Sequence, residues 1–368
     1  MYPDLYITPK IYSGENCVIN NANVFSSFGK SCLIVTSKSG AIKSGALQDV
    51  CNVLDSLEIS YSIFDKITEN PLVSTIIEGG RKAREVNADF IVGIGGGSPL
   101  DGAKAVAICA KNPEYDIEGL YNRKNPSKAL SVILIGTTSG TGSEVTGVSV
   151  LTNDNTMQKK SIGGADCYAT VAFCDAKYTH SMSYDVTVTT ALDAFAHAVE
   201  GFFSPKCTEY ALMYAQKALP LLYRGLDALN TIRTTPDPKL REELYTGSIY
   251  AGMELNVCGA AFPHTVGYVL TEEFNIPHGK ACTAFMPLLL EKAKRNDAEK
   301  FHKLLRAVGV NEFDLKETIQ SLTDVKIQAS DEDIEKWCSR WEAGNKNFDN
   351  SPGGFDYKQA EEAIKNLR

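Results

Sequence analysis

No Cys-x-x-Cys pair occurs among the ten cysteines of this 368-residue chain, so neither a zinc ribbon nor a dithiol redox motif is written in it. The cysteines read instead as buried apolar fillers. No run of about 18 apolar residues is present, and MYPDLYITPKIYSG, with acid and proline near its start, lacks the basic start and apolar core of a signal peptide. A cytoplasmic protein with reduced thiols is the expectation, with no membrane partner. Basic residues are outnumbered, 37 against 45 acidic, and the net charge of -8 gives no broad positive field to draw in nucleic acid or an anionic membrane. Any phosphate site must be local. Histidine is scarce as well, with five residues, His180, His197, His264, His278 and His302, so each context can be weighed by itself.

What is present is an ordinary globular composition, 43% apolar and 22% charged, on a chain too long for one core. The first half alternates β-branched runs (SCLIVTS, SYSIFD, DFIVGIGGG) with helix-patterned stretches (GALQDVCNVLDSL, VSTIIEGGRKAREV, LDGAKAVAICA), which argues for a parallel sheet with covering helices. Strand-like LSVILIGTT, VSVLTND and TVAFCD follow, and the pattern stops after Asp175. Helical periodicity then predicts helices over 207–227, 238–257, 284–308 and 357–367. These patterns predict an α/β domain over 1–178 and an all-helical domain over 179–368, with the active site expected in a cleft between them.

In DFIVGIGGGSPLDGAKAVA a buried-type strand runs into Gly95, Gly96, Gly97 and Ser98, and a helix begins. Glycines let backbone approach an anion, and the free amides of a helix start bind it. The spacing is not GxGxxG. The plainer reading is a tight turn with Ser98 as N-cap and Asp101 completing a capping box. A second loop, GTTSGTGSEVT at 136–146, also follows a strand and carries hydroxyls able to bind phosphate or ribose. Two such loops at strand ends of one sheet suit one dinucleotide along its carboxyl edge.

Asp193 and His197 share a helix face in the apolar text TTALDAFAHAVEGF. A buried acid beside an imidazole must pair or bind a cation, and for this pair alone a salt bridge suffices. His264 and His278, both in FPHTVGYVLTEEFNIPHG and without an obvious local partner, alter that balance. One carboxylate and three imidazoles form a donor set for divalent iron or zinc with positions left for a substrate oxygen. His180 and His302 read as surface or packing residues.

The runs GGGSPLDGAKAVA at 95–107, TTSGTGSEVT at 137–146, DAFAHAVEG at 193–201 and HTVGYVLTEEFNIPHGKA at 264–281, with ENPLV at 69–73, stand in a familiar order and spacing. In them the chain resembles the iron-containing, or group III, alcohol dehydrogenases over essentially its whole length. The resemblance implies a Rossmann-like nucleotide-binding domain followed by an all-helical metal-binding domain, the dehydroquinate synthase-like arrangement. It implies Asp193, His197, His264 and His278 as ligands of Fe2+, or of Zn2+ in its place, and thereby as the catalytic set. Gly96, Gly97, Ser98 and Asp101 would hold the pyrophosphate and nicotinamide region, with Asn70, Thr137, Thr138 and Thr141 lining the cofactor site. Lys159, beside Lys160, matches a family lysine at the cofactor. The implied activity is hydride transfer between NAD(P)(H) and a small primary alcohol or aldehyde, and the implied assembly is a homodimer or larger homo-oligomer.

Two departures matter. NAD-preferring members have an aspartate at the end of the strand LIVTSKSG, where it repels a ribose 2'-phosphate; here Ser37 takes its place. Ser37, Ser39 and Lys38 are then free to accept that phosphate, so NADP(H) is expected over NAD(H). Tyr268 occupies a place where several relatives have a further histidine near the substrate, so a relay through that histidine is not assumed. Rivals are a glycerol-dehydrogenase-like polyol dehydrogenase or a dehydroquinate-synthase-like enzyme of the same fold, and a non-catalytic scaffold. A polyanionic substrate would require Lys and Arg near the histidine segment, which has none in FPHTVGYVLTEEF, and a scaffold would have no reason to keep buried imidazoles.

Overall fold

The structure is a computed structural model that describes residues 9–124 and 126–368, divided into two compact units at Met182 and Ser183. The first unit carries strands β1 (Lys10–Ser13), β2 (Ser31–Thr36), β3 (Ser60–Phe64), β4 (Phe90–Gly95), β5 (Ser131–Gly136), β6 (Val148–Thr152), β7 (Lys159–Gly163) and β8 (Val171–Cys174). Its helices are α1 (Cys17–Asn20), α2 (Gly40–Lys43), α3 (Ala46–Ser56), α4 (Val73–Glu85), α5 (Gly97–Lys111) and α6 (Ile117–Tyr121).

Six strands form one parallel sheet in the order β3-β2-β4-β5-β8-β1. Both faces are covered, which is why β2, β4 and β5 read as nearly continuous apolar runs. Successive side chains point to opposite faces: Leu33 and Val35 join a core with Ile76 of α4 and Val106 of α5, while Cys32 and Ile34 join another with Val50 and Leu54 of α3. The strand order reverses between β2 and β4, and the crevice beyond the carboxyl ends at such a reversal is where open α/β sheets bind ligands. β6 and β7 form a separate antiparallel pair. β1 and β7 escaped the sequence reading because neither KIYS nor KKSIG is an apolar run; β1 is a half-exposed edge strand.

The second unit holds α7 (Tyr184–Phe203), α8 (Glu209–Ile232), α9 (Pro238–Cys258), α10 (Phe262–Phe274), α11 (His278–Thr283), α12 (Met286–Asn296), α13 (Ala298–Val308), α14 (Glu312–Thr323), α15 (Asp331–Cys338), α16 (Lys346–Asp349) and α17 (Tyr357–Lys365). No strand occurs among its described residues, and its helices share one core. The helix expected over 284–308 is broken in two. Asp297 ends α12 and its side chain accepts from the Lys300 N–H to cap α13, a break that the unbroken apolar periodicity concealed. α7 begins at a Ser183 N-cap and is apolar almost all round, so it lies buried in the middle of this unit. No described helix is long and apolar enough to cross a membrane.

Candidate functional site

In the first unit, Gly96, Gly97 and Ser98 follow the carboxyl end of β4, and Thr137, Thr138 and Thr141 follow that of β5. Gly95 takes φ 151° and its missing Cβ would lie 2.6 Å from the Pro99 ring, so only glycine makes this turn without strain. A Cβ on Gly96 would lie 3.0 Å from Thr138, and one on Gly97 would lie 2.6 Å from Thr141; the two loops are pressed together through the absent side chains. Thr137 N–H donates to the Gly95 carbonyl at 2.9 Å. Asn70, in the left-handed region at φ 53°, donates its N–H to Ser98 Oγ at 3.3 Å and accepts from Thr152 Oγ1 at 3.1 Å.

The capping reading of Ser98 and Asp101 is overturned. α5 starts at Gly97 with Gly96 as N-cap and no side-chain cap, leaving the first-turn amides of Gly97 and Ser98 available to an anion. Asp101 serves a longer-range purpose: Oδ1 accepts from Ser143 Oγ at 2.5 Å and from Lys104 Nζ at 3.2 Å, and Oδ2 from the Val150 N–H at 2.8 Å. Lys104 is fully buried and also reaches Ser143 Oγ, Thr146 Oγ1 and the Val148 carbonyl. This buried ion pair, unread in the sequence, ties the helix after the glycine loop to the second loop and to β6. Ser139, in the second loop, has a buried hydroxyl with no partner among the described residues.

Lys159 opens β7, and Lys160 lies over the Tyr121 ring at 4.7 Å; neighbours on a strand face opposite ways, so Lys159 faces away from that ring. Ser37 is half-buried and Lys38 and Ser39 exposed just past β2, whose last residue, Thr36, bonds the Ile94 carbonyl of β4. Ser39 occupies the N-cap position of α2 but makes no capping bond.

In the second unit, α7 presents Asp193, His197 and Glu200 one turn apart along one buried face. α10 carries His264 and α11 opens on His278. A Cβ on Gly279 would sit 1.8 Å from the Thr189 carbonyl oxygen and 2.8 Å from Asp193 N, so glycine is what lets α11 press onto α7. The result is a tight cluster: Asp193 Oδ1 lies 3.3 Å from His264 Nε2 and 3.8 Å from His278 Nε2, and the donor atoms of Asp193, His264, His278 and Cys282 all fall within 4.8 Å of one another. His197 is not in that tightest group. Its ring stacks on His264 with centroids 4.2 Å apart, and its buried Nδ1 has no hydrogen-bond partner among the described residues.

Two members were missed. Glu200, fully buried, takes the His264 Nδ1–H at 2.5 Å through one oxygen and the Ala261 N–H, at the start of α10, through the other. Its signal was the spacing 193, 197, 200 on one helix. Cys282, one turn after His278, reads in the sequence as apolar filler, yet its Sγ lies 3.6 Å from His278 Nδ1. Tyr268 stacks on His278 with centroids 5.5 Å apart.

Burial raises Asp193, but the charge of His197 and the hydrogen bond from His264 outweigh it and hold the carboxyl below its usual range. Burial, helped by the charge of His264, lowers His197 to about 4. Burial also works against charge on His264, but Cys282, Glu200 and Asp193 push it well above the usual imidazole range.

A parallel sheet with two small-residue loops at its carboxyl edge, and a buried cluster of acid and imidazoles on three helices, define a metal-dependent dehydrogenase. A family model described as iron-containing alcohol dehydrogenase matches residues 8–176, and one for the C-terminal part of the Fe-containing alcohol dehydrogenase family matches residues 187–330. The lactaldehyde reductase of Escherichia coli (strain K12) is 29% identical over 282 residues, covering 76% of this chain and 72% of that protein. An iron-containing alcohol dehydrogenase from Thermotoga maritima superposes with a TM-score of 0.90 at 34% identity, covering 99% of each chain. Sulfoacetaldehyde reductase from Bifidobacterium kashiwanohense, solved with NAD+, gives a TM-score of 0.87 at 25% identity over 100% of this chain and 99% of that one. The chain belongs to the iron-containing alcohol dehydrogenase family. It is an NAD(P)-dependent oxidoreductase that interconverts alcohols and aldehydes.

Proposed function

We propose that one divalent cation, iron or zinc in its place, is held by Asp193, His197, His264 and His278, and that the enzyme reduces a small aldehyde to its primary alcohol with NADPH. The observation that carries this reading is the convergence of Asp193 with His264 and His278 beside a stacked His197 whose buried Nδ1 has no hydrogen-bond partner among the described residues. Four such groups kept together away from water are costly unless an ion joins them, and a carboxylate with imidazoles is a set that divalent iron or zinc accepts. When bound, the ion supplies Lewis-acid polarisation of the substrate oxygen, and the nicotinamide gives or takes the hydride.

The protein's own part is orientation. Because a carboxylate only accepts, Glu200 fixes the proton of His264 on Nδ1 and leaves Nε2 facing Asp193. In the other unit, Gly96, Gly97 and Ser98 bind the pyrophosphate through backbone, while Asn70, Thr137, Thr138, Thr141 and Lys159 line the dinucleotide site. Asp101 acts by holding the two loops together. Ser37, Lys38 and Ser39 accept the 2'-phosphate. The same reading places the enzyme in the cytoplasm, in keeping with ten free cysteines, and makes it a homodimer or larger on the strength of the family resemblance.

The test is metal analysis of the purified enzyme together with aldehyde-dependent oxidation of NADPH and of NADH. About one ion per chain and faster turnover with NADPH are expected, and His264→Ala should lose metal and turnover together. A His264→Ala protein with full activity would refute the ligand set; equal use of NADH would refute the cofactor preference alone.

A further inference from the structure

A second cluster of metal-ligating side chains lies elsewhere in the helical unit. Cys258 is the last residue of α9, Glu254 stands one turn before it, and Cys207 lies in the turn that leads into α8. The donor atoms of these three residues all lie within 4.8 Å of one another. Glu254 is fully buried, and neither carboxylate oxygen has a hydrogen-bond partner among the described residues. Room for that carboxylate is made by Gly201 of α7, where a Cβ would come within 2.6 Å of Glu254 Oε1.

The surrounding frame is hydrogen-bonded together. Ser204 Oγ donates to the Cys258 carbonyl at 3.3 Å, Asn350 Nδ2 donates to the same oxygen at 2.8 Å, and Cys207 N–H bonds the Ser204 carbonyl at 3.1 Å. Turn 204–207 is thus already fastened to the end of α9. An acid left in such a place without a donor is costly, and the two thiols beside it are weak donors that bond neither oxygen. A cation can.

We propose that Cys207, Glu254 and Cys258 bind a second, structural zinc ion that clips the α7–α8 turn to the end of α9. Two thiolates and a carboxylate with a water in the fourth position make a tetrahedral zinc set, and a glutamate and cysteine at i and i+4 meet on one helix face. Binding releases the thiol protons. The ion's two positive charges against three ligand negatives leave a net -1, and Lys300, whose charge bears on all three ligands, offsets it. Cys207, half-buried while the other two are enclosed, gives the ion its way in. The cluster is separate from the histidine set, so the proposal stands whether or not that assignment holds.

The test compares wild-type enzyme with Cys207→Ser and Glu254→Gln, each purified from zinc-supplemented culture. Wild type should hold about one zinc per chain more than Cys207→Ser, which keeps its dehydrogenase turnover. Cobalt substituted into wild type should give a thiolate-to-metal absorption band that Cys207→Ser lacks. Glu254→Gln should bind zinc at least tenfold more weakly by chelator competition. Maleimide labelling of Cys207 in the wild type should be slow and should accelerate once a chelator is added. Equal zinc in wild type and Cys207→Ser, or a Cys207–Cys258 disulfide in the mass of unreduced native protein, would overturn the proposal. Zinc binding by Glu254→Gln at wild-type strength would overturn it equally.

Discussion

Glu200 and His264 form a buried carboxylate–imidazole pair, with Oε1 2.5 Å from Nδ1, and the second Glu200 oxygen is bound by the Ala261 N–H at the start of the helix that carries His264. One acid therefore sets both the tautomer of the ring and the position of its helix. Acceptors of this kind raise the basicity of a metal-binding imidazole, and their loss commonly weakens metal affinity by about 10–100-fold. Glu200→Gln keeps the shape and removes the charge. Its affinity for the ion, measured by competition with a chelator, should fall within that range while the α-helical circular dichroism is unchanged. Affinity equal to wild type would mean that Glu200 only packs.

Gly279→Ala should damage the same site from the backbone. The new Cβ would meet the Thr189 carbonyl at 1.8 Å, a contact that only movement of α11 away from α7 can relieve. Overpacking of this kind costs about 1–3 kcal/mol or more. Because His278 is the first residue of α11, the same displacement carries its ring off Asp193. Urea unfolding should show the stability loss, and metal content of the folded fraction should drop with it. A stable variant with full metal would contradict this packing account.

These two cases mark how far the sequence could be read. The candidate cluster of Asp193, His264 and His278, with His197 stacked beside it, could be picked out because acid and imidazoles in apolar text are conspicuous by their cost. Glu200 lay on the same face of the same helix but was not singled out, since its partners, His264 and the Ala261 amide, are more than sixty residues away. The sheet was legible because doubly covered strands are apolar runs; the half-exposed β1 and the hairpin strand β7 were not. Asp101 shows the opposite failure, a local rule applied where a distant one governs: its spacing from Ser98 suggested a cap, while its bonds run to Ser143 and Val150. Cys282 and the Cys207–Cys258 pair were hidden for the same reason, because cysteine in apolar text gives no sign of its neighbours.

The Asp101 and Lys104 pair gives a prediction that separates positioning from contact. Lys104 is fully buried, and Asp101 supplies its charge partner. Breaking a buried pair at one end typically costs about 3–5 kcal/mol, because the other charge is left behind. Asp101→Asn should therefore destabilise the enzyme by up to that amount in urea, with Ser143 and Thr146 keeping part of the ammonium's solvation. Since the same carboxylate joins the glycine loop's helix to the second loop, KM for the dinucleotide should rise while metal content stays at the wild-type level. Replacing both residues, Asp101→Asn with Lys104→Met, should recover stability without recovering KM. Normal KM in the single variant would show that the loops do not depend on this tie.

The proposed preference for NADPH turns on Ser37. It follows Thr36 at the carboxyl end of β2, and Thr36 is bonded to Ile94 just before the glycine loop, so residues 37–39 lie at the sheet's reversal point. Under the proposed NADPH preference, the Ser37 hydroxyl would donate to the 2'-phosphate and Lys38 would add a positive charge. Installing the acid should invert the preference. In Ser37→Asp a carboxylate faces the 2'-phosphate of NADPH but can accept from the 2'-hydroxyl of NADH. We expect kcat/KM for NADPH to fall by at least tenfold, about 1.4 kcal/mol of discrimination, with NADH unchanged or improved. Lys38→Ala should weaken NADPH use alone and make what remains less sensitive to salt, since an exposed charge pair is screened within about 10 Å at 0.1 M ionic strength. Equal losses with both nucleotides in Ser37→Asp would place residue 37 away from the ribose and remove the physical basis for an NADPH preference.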